Sequence, residues 1–177
     1  MKYRTIVADP PWRYKTTLPG FKRDRLGRSG VPYDTLSVDE IAALPVEALA
    51  EPDAHLYLWT TNTHLEHAWR IVRAWGFQYS TLLVWGKAPR GFAGFPTYQV
   101  TAEYVVFARR GSLAAKDRVD RSWWEWPRAA HSVKPDAFLD LVERVSPGPY
   151  LEMFARRVRL GWDGWGNEWY ENAAVPA

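Results

Sequence analysis

The stretch Tyr3-Arg4-Thr5-Ile6-Val7-Ala8-Asp9-Pro10-Pro11-Trp12 decides how the rest of the chain is read. Its first six residues make a short buried strand, with β-branched side chains that end at a Pro pair. Both prolines hold φ near −65° and neither carries an N–H. Past the strand, then, the backbone offers carbonyl acceptors and almost no donors. The Asp9 carboxylate adds acceptor capacity, and Trp12 adds a flat apolar face. A rigid acceptor cluster beside an aromatic plate suits a planar ligand that donates through an NH2 group, such as an amino-bearing nucleobase. The bland alternative is a strand-end turn with a buried Trp.

The chain has 177 residues, which fits a single domain with one sizeable core. We expect that domain over residues 1–169, with 170–177 as a tail. There is no Cys, so neither a disulfide framework nor thiolate chemistry is available. The 11 Trp residues exceed what core packing needs, which places some in a site or on a base-stacking surface. No basic-then-apolar leader and no membrane-length apolar run stand in the sequence, so a soluble cytoplasmic protein is expected. A formal charge of +3 favours an anionic partner only mildly, and the placement of the basic residues matters more.

That placement is uneven. Arg13 to Pro32 carries Lys15, Lys22, Arg23, Arg25 and Arg28 against the single acid Asp24, with three glycines interspersed. Such a segment is too long and polar for an ordinary connection and reads as a functional loop able to close over a phosphate backbone. Ser37-x-x-Glu40 is a capping box that starts a short helix ended by Pro45, with a further turn over 46–50. Residues 55–60 read as a central strand. Asn62 or Thr63 then caps an amphipathic helix with Leu65, Trp69, Val72 and Trp75 on one face, and Gly76 stops it. Strands follow over 77–85 and 101–109, separated by a second loop over 87–99. A third loop, 111–133, contains Trp123-Trp124-Glu125-Trp126, either a stacking platform or a hydrophobic lid. Pro135 opens a helix at its first position, and residues 150–155 form the next strand. Alternation of strands and helices predicts a layered α/β domain with a mostly parallel sheet.

Several chemistries can be set aside. The chain lacks a Gly-x-x-x-x-Gly-Lys phosphate loop, a Gly-x-Gly-x-x-Gly fingerprint and a Gly-x-Ser-x-Gly elbow. His64 and His67, one helical turn apart, have no further ligands nearby, so we expect an exposed helix face and no metal. The C-terminal region is more informative. Lys134 precedes a helix N-terminus, Glu152 to Arg156 ends a strand where α/β sheets bind ligands, and 161–168 is Gly-rich. Asn167 and Glu168 can take base and sugar groups, a carboxylate being a natural acceptor for a ribose diol.

Six motifs together carry a resemblance. Ala8-Asp9-Pro10-Pro11-Trp12, Pro32-Tyr33-x-Thr35, Leu58-Trp59-Thr60-Thr61-Asn62, His131-Ser132-Val133-Lys134-Pro135, Glu152-Met153-Phe154-Ala155-Arg156 and Gly161-Trp162-Asp163-Gly164-Trp165-Gly166-Asn167-Glu168 stand in this order. From Tyr3 to Glu168 the chain resembles the MT-A-seventy family of adenine-N6 methyltransferases. It is most similar to the compact prokaryotic and phage type, related to the catalytic subunit of the mRNA adenosine methyltransferase.

The resemblance implies a Rossmann-like methyltransferase domain with permuted motif order and S-adenosyl-L-methionine as methyl donor. It implies a catalytic group of Asp9, Pro10, Pro11 and Trp12. In it, Asp9 and the Pro10 carbonyl hold the target amine and Trp12 stacks on or walls the base. Tyr33 and Glu103 would line the target pocket, with Lys22, Arg23 and Arg25 along the nucleic-acid backbone. On the cofactor side it implies Asp9, Lys134 at the methionine carboxylate, and Phe154. Arg156 and Glu168 would take the ribose and Asn167 the adenine. An acidic cofactor contact that the mRNA enzyme has upstream of its catalytic motif finds no counterpart here, so the adenine side of that pocket would be completed differently. DNA is the expected substrate. The alternatives are RNA adenine, cytosine N4, a protein amide, or a non-catalytic nucleic-acid-binding module on the same fold.

Overall fold

A computed structural model describes residues 1–14, 35–88, 97–127 and 134–166. The elements are β1 (Tyr3–Ala8), α1 (Val38–Ala42), α2 (Val46–Leu49), β2 (Ala50–Thr60), α3 (Leu65–Ala74), β3 (Gln78–Gly86), β4 (Ala102–Arg110), β5 (Trp123–Glu125), α4 (Asp136–Val145), β6 (Tyr150–Met153) and β7 (Trp162–Trp165). The seven strands form one sheet in the order β5-β3-β4-β2-β1-β6-β7. All neighbours pair in parallel except those of β4, which runs antiparallel to both β2 and β3. The expected α/β class and mostly parallel sheet therefore hold.

Strand β1 lies inside the sheet, and its apolar second half suits that place. Its last four residues are buried, and it pairs with β2 on one side (Ile6 with Leu56) and β6 on the other (Ile6 with Leu151). Alternation along the strands makes two cores. On one face Ile6, Ala8, Leu56, Leu58 and Val106 pack with Ile41 of α1 and Ala68, Ile71 and Val72 of α3. On the other, Val7, Tyr57, Trp59, Trp85 and Val105 pack under Phe138, Leu139 and Val142 of α4. These helices are short, so their stability comes from the buried faces rather than from propensity.

The local signals hold in most places. Ser37 and Glu40 form the reciprocal capping box, at 3.2 and 2.7 Å. Gly76 ends α3 with φ 78°. Other readings are corrected. The residue at the N-cap of α3 is His64, with no side-chain cap, rather than Asn62 or Thr63, because a turn over 61–64 precedes the helix. Ala68 and Ile71 are its buried residues together with Val72, while Leu65 and Trp69 are only half-buried. Pro135 is the N-cap of α4, one position earlier than expected. The turn over 46–50 contains the helix α2. The strand read over 150–155 stops at Met153, because Phe154 turns to φ 63°. The third loop and the Gly-rich C-terminal segment each hold a short strand, β5 and β7.

A second glycine turn tests the packing at the far end of β4. Gly111 has φ 62°, and a Cβ there would run into Asp53 Oδ1 and the Pro52 carbonyl. Asp53 is held in place by the Ser112 N–H at 2.5 Å. Gly161 has a similar φ of 80° with nothing within 4 Å. Gly161→Ala is expected to cost about 1 kcal/mol from backbone strain alone, and Gly111→Ala about 3 kcal/mol from strain plus overlap. Urea denaturation of the two variants should separate them; equal losses would show that the Asp53–Gly111 corner yields freely.

Candidate active site

The C-terminal ends of β1, β2, β3 and β6 lie along one edge of the sheet, where ligands of open α/β sheets collect. Because β4 is antiparallel, its first residues reach the same edge, and Glu103 pairs in register with Trp85 near the end of β3. Sequence-distant charges therefore meet there. The Lys134 ammonium, one residue before the α4 cap, donates to Asp9 Oδ2 at 2.7 Å and lies 3.3 Å from Glu103 Oε2. Lys87 closes the chain on Glu103 Oε1. All four side chains are about a fifth exposed or less. Two carboxylates so shielded from water call for cations beside them, and here two ammonium groups match them. The ammonium groups also sit over indole faces, Lys134 over Trp59 at 5.1 Å and Lys87 over Trp85 at 4.4 Å.

The prolines behave less simply than their missing N–H groups suggest. The Pro10 carbonyl already accepts from Trp12 N at 2.9 Å, and the Pro11 carbonyl from Leu36 N at 2.8 Å. Each keeps a second lone pair. Trp12 is not an open plate. It is 5% exposed, its indole N–H donates to the Trp59 carbonyl at 3.2 Å, and one face is covered by the His64 ring. Burial leaves it as a wall to the turn rather than a free stacking surface. His64 itself is buried, which overturns the expected exposed histidine face; only His67 is partly open. Among the described residues no cluster of metal-ligating side chains occurs.

Beside Asp9, the end of β6 forms a tight corner. Phe154, at positive φ, and Ala155 both direct their N–H groups at the Trp165 carbonyl. A Cβ on Gly166 would stand 3.0 Å from the Phe154 Cα, so only glycine lets the two segments approach. Arg156 follows, half-buried. Arg159 bonds Asp140 and Glu143 at 2.6 and 2.8 Å, and the Trp162 indole N–H reaches Glu143 at 2.6 Å. These bonds strap the β6–β7 connection to α4. Glu152 faces the same side as its register partner Val7, and burial pushes its carboxyl up to about 7, with the charge of Asp9 adding to the rise and Arg157 opposing it.

The structure thus brings together Asp9, Pro10, Pro11, Trp12, Glu103, Lys134, Phe154 and Arg156 along one edge. Tyr33, Lys22, Arg23, Arg25, His131, Asn167 and Glu168 lie outside the described residues. Lys87 was missed, His64 was read as part of an exposed helix face, and Glu152 was named only within its strand-end motif. Lys87 stands two residues past the buried Trp85, at the period that keeps it on the same strand face; that was its available signal. Of the tryptophan cluster, Trp126 packs at the edge of the core, its carbonyl accepting the Trp85 indole N–H at 2.9 Å. Trp124 stacks on it, and Trp123 stays 60% exposed.

A mostly parallel α/β sheet with an Asp-Pro-Pro-Trp turn at the end of its central strand, facing a lysine and a glycine-lined strand corner, defines a methyltransferase domain. The chain belongs to the MT-A70 (MT-A-seventy) family, whose model matches residues 3–168. It is 32% identical over 187 residues to the type II methyltransferase M.MunI of Mycoplasma, covering 97% of this chain and 79% of that protein. It is 27% identical to a putative N(6)-adenosine-methyltransferase MT-A70-like protein of Medicago truncatula and 25% identical to the human N(6)-adenosine-methyltransferase catalytic subunit METTL3. Each of those matches takes in 94% of this chain but only about a quarter of the larger protein, 26% and 28%. The chain is an enzyme, and family and relatives together support methylation of the adenine N6 amine. Among the described residues no helix is long and apolar enough to cross a membrane.

The half-buried Glu152 gives a pH test. Its carboxyl ionises near 4.5 in the unfolded chain and near 7 in the folded one, so between those values the folded state binds more protons. Stability contributed by Glu152 therefore falls as pH rises from about 4.5 to 7, by roughly 3 kcal/mol in all. The stability of Glu152→Gln relative to the parent should rise by that order between pH 4.5 and 8 in denaturant titrations. A constant difference would refute the assignment.

Proposed function

We propose that this chain methylates the N6 amine of adenine in DNA, with S-adenosyl-L-methionine as donor. The observation that carries the reading is the Asp9–Lys134 pair at the C-terminal edge of β1, which joins an acceptor turn to the expected cofactor side. The similarity to a bacterial type II methyltransferase favours DNA over RNA. Cytosine N4 and a non-catalytic role are left behind by the family match and by the retained Asp9 and Lys134.

The chemistry of the donor set fits the cofactor. It needs a cation for a carboxylate and carboxylates for a cationic centre. Lys134 and Asp9 supply both. Gly166 lets the segment after β7 pack against the Phe154 corner beside this edge. Lys134, Phe154 and Arg156, with Asn167 and Glu168, would hold it. When bound, it supplies a methyl group already activated on a sulfonium. What remains for the protein is the amine. An exocyclic amine is a poor nucleophile because its lone pair is delocalised into the ring. Asp9 and the second lone pair of the Pro10 carbonyl accept its two N–H bonds, draw the nitrogen towards tetrahedral geometry and free the lone pair. Lys134 orients Asp9 for this role by donating to its Oδ2 at 2.7 Å. Its third N–H stays available beyond Asp9 and Glu103. Transfer leaves an N-methyl ammonium that loses its proton readily. In-line positioning accounts for most of the rate. A stacked base cannot reach Asp9, so the substrate is single-stranded or its adenine is flipped out. Lys22, Arg23 and Arg25 would follow the phosphates, and cytoplasmic action on DNA fits such a protein.

Incubation with labelled S-adenosylmethionine and single-stranded DNA, duplex DNA or RNA, followed by nucleoside mass spectrometry, should yield N6-methyladenine from DNA. Label on RNA alone, or on cytosine, would overturn the substrate. Asp9→Ala should abolish transfer with the fold retained by circular dichroism, and measurable turnover by it would sink the mechanism. Replacing Lys22, Arg23 and Arg25 by Gln should weaken DNA binding and lower the slope of log affinity against log salt by up to about 3. An unchanged slope would remove these residues from the interface.

A further inference from the structure

His64 is absent from the catalytic and cofactor residues carried over from the family, yet it touches the acceptor turn through both its ring face and its Nε2. Its ring lies on Trp12 with centroids 4.9 Å apart and planes 25° from parallel. Its Nε2 is 3.1 Å from the Arg13 carbonyl, which can only accept, so the proton is on Nε2. That leaves Nδ1 as acceptor for the Thr61 hydroxyl at 3.2 Å, and Thr61 in turn accepts from the Tyr14 hydroxyl at 3.4 Å. The Tyr14 ring closes over the imidazole edge-on at 4.7 Å. A ring of contacts therefore runs from the turn preceding α3, through the imidazole, to the two residues that follow Trp12.

The same turn is held from its other side. The Trp12 indole N–H is fixed on the β2 carbonyl of Trp59, and its backbone N–H occupies one lone pair of the Pro10 carbonyl. The direction of the remaining Pro10 lone pair thus depends on where Trp12 and Arg13 sit, and His64 grips both. We propose that His64 is a positioning residue for methyl transfer: as the Nε2–H tautomer it clamps Trp12 and Arg13 and so aims the Pro10 carbonyl at the acceptor amine. This rests on the function proposed above, because it assigns the Pro10 carbonyl to the amine.

Two variants separate the clamp from general packing. His64→Phe keeps the stacking ring and loses both hydrogen bonds. His64→Gln keeps a donor for Arg13 and an acceptor for Thr61 and loses the ring. His64→Phe should lower kcat roughly 10- to 100-fold while KM for DNA and Kd for S-adenosylmethionine stay within about twofold, and His64→Gln should recover most of kcat. Loss of kcat in step with Tm, or a His64→Phe enzyme at full kcat, would overturn the proposal. An arm independent of activity uses 15N and 13C NMR. The imidazole nitrogens should report the Nε2–H tautomer, and the Pro10 carbonyl resonance should move in His64→Phe and return in His64→Gln. A Pro10 resonance indifferent to both changes overturns the clamp. A wild-type protein that binds DNA and cofactor but forms no N6-methyladenine would instead refute the function, with the NMR arm deciding the clamp on its own.

Discussion

A carboxylate four-fifths shielded from water cannot stand alone, and the pairing of Asp9 with Lys134 is the constraint on which the rest of the site depends. Lys134 is shared with Glu103, and Glu103 with Lys87, so four charges of alternating sign occupy one edge of the sheet. Each arrives by a different route: Asp9 from the end of β1, Lys87 from the end of β3, Glu103 from the start of β4 and Lys134 from the approach to α4. The antiparallel sense of β4 is what permits this. Run the other way, its first residues would lie at the opposite edge and Glu103 would be remote from Asp9. Charge balance in the cluster and topology of the sheet are thus two statements of one arrangement.

The opposite face of the turn is governed by neutral groups. Burial pushes the His64 imidazole below its ordinary value, with the Arg13 carbonyl opposing that shift, and His67 adding to it. Within the α4-side core His55 shows the same pattern, fully buried between Ser146 and the Leu113 carbonyl at 2.8 and 3.1 Å. Ser146 also faces the Tyr57 hydroxyl at 2.8 Å, and burial pushes that phenol up to about 12. Uncharged hydrogen-bonded polar groups of this kind fix β2 to its neighbours at modest desolvation cost.

Much of this was legible in the chain, and the boundary between legible and hidden is physical. The strand at 3–8, the Ser37–Glu40 box, the Gly76 stop and the Asp-Pro-Pro-Trp turn are written in local residue chemistry, and each appears where its signal stands. Strands β5 and β7 stand inside segments that read as loops, the one within the long connection over 111–133 and the other within a Gly-rich stretch. His64 was misread because a three-residue spacing to His67 suggests a shared helix face, whereas the preceding turn swings its ring inward against Trp12. The partnership of Lys134 with Asp9 spans 125 residues, and no local pattern encodes a contact of that range. Tyr33, Asn167 and Glu168 remain readings of the motifs alone.

The position of β1 between β2 and β6 has a consequence for how this molecule comes into being. The first strand to be synthesised waits for one of the last before its second edge is covered, Thr5 meeting Tyr150 across the sheet. Pairings of such sequence separation carry a large closure entropy and form late and slowly. A nascent chain can assemble β2, β3 and β4, whose partners are near neighbours, but its β1 keeps an open parallel edge until β6 emerges. Enzymatic competence therefore waits on the β1–β6 pairing, which sets the end of β1 beside the β6 corner.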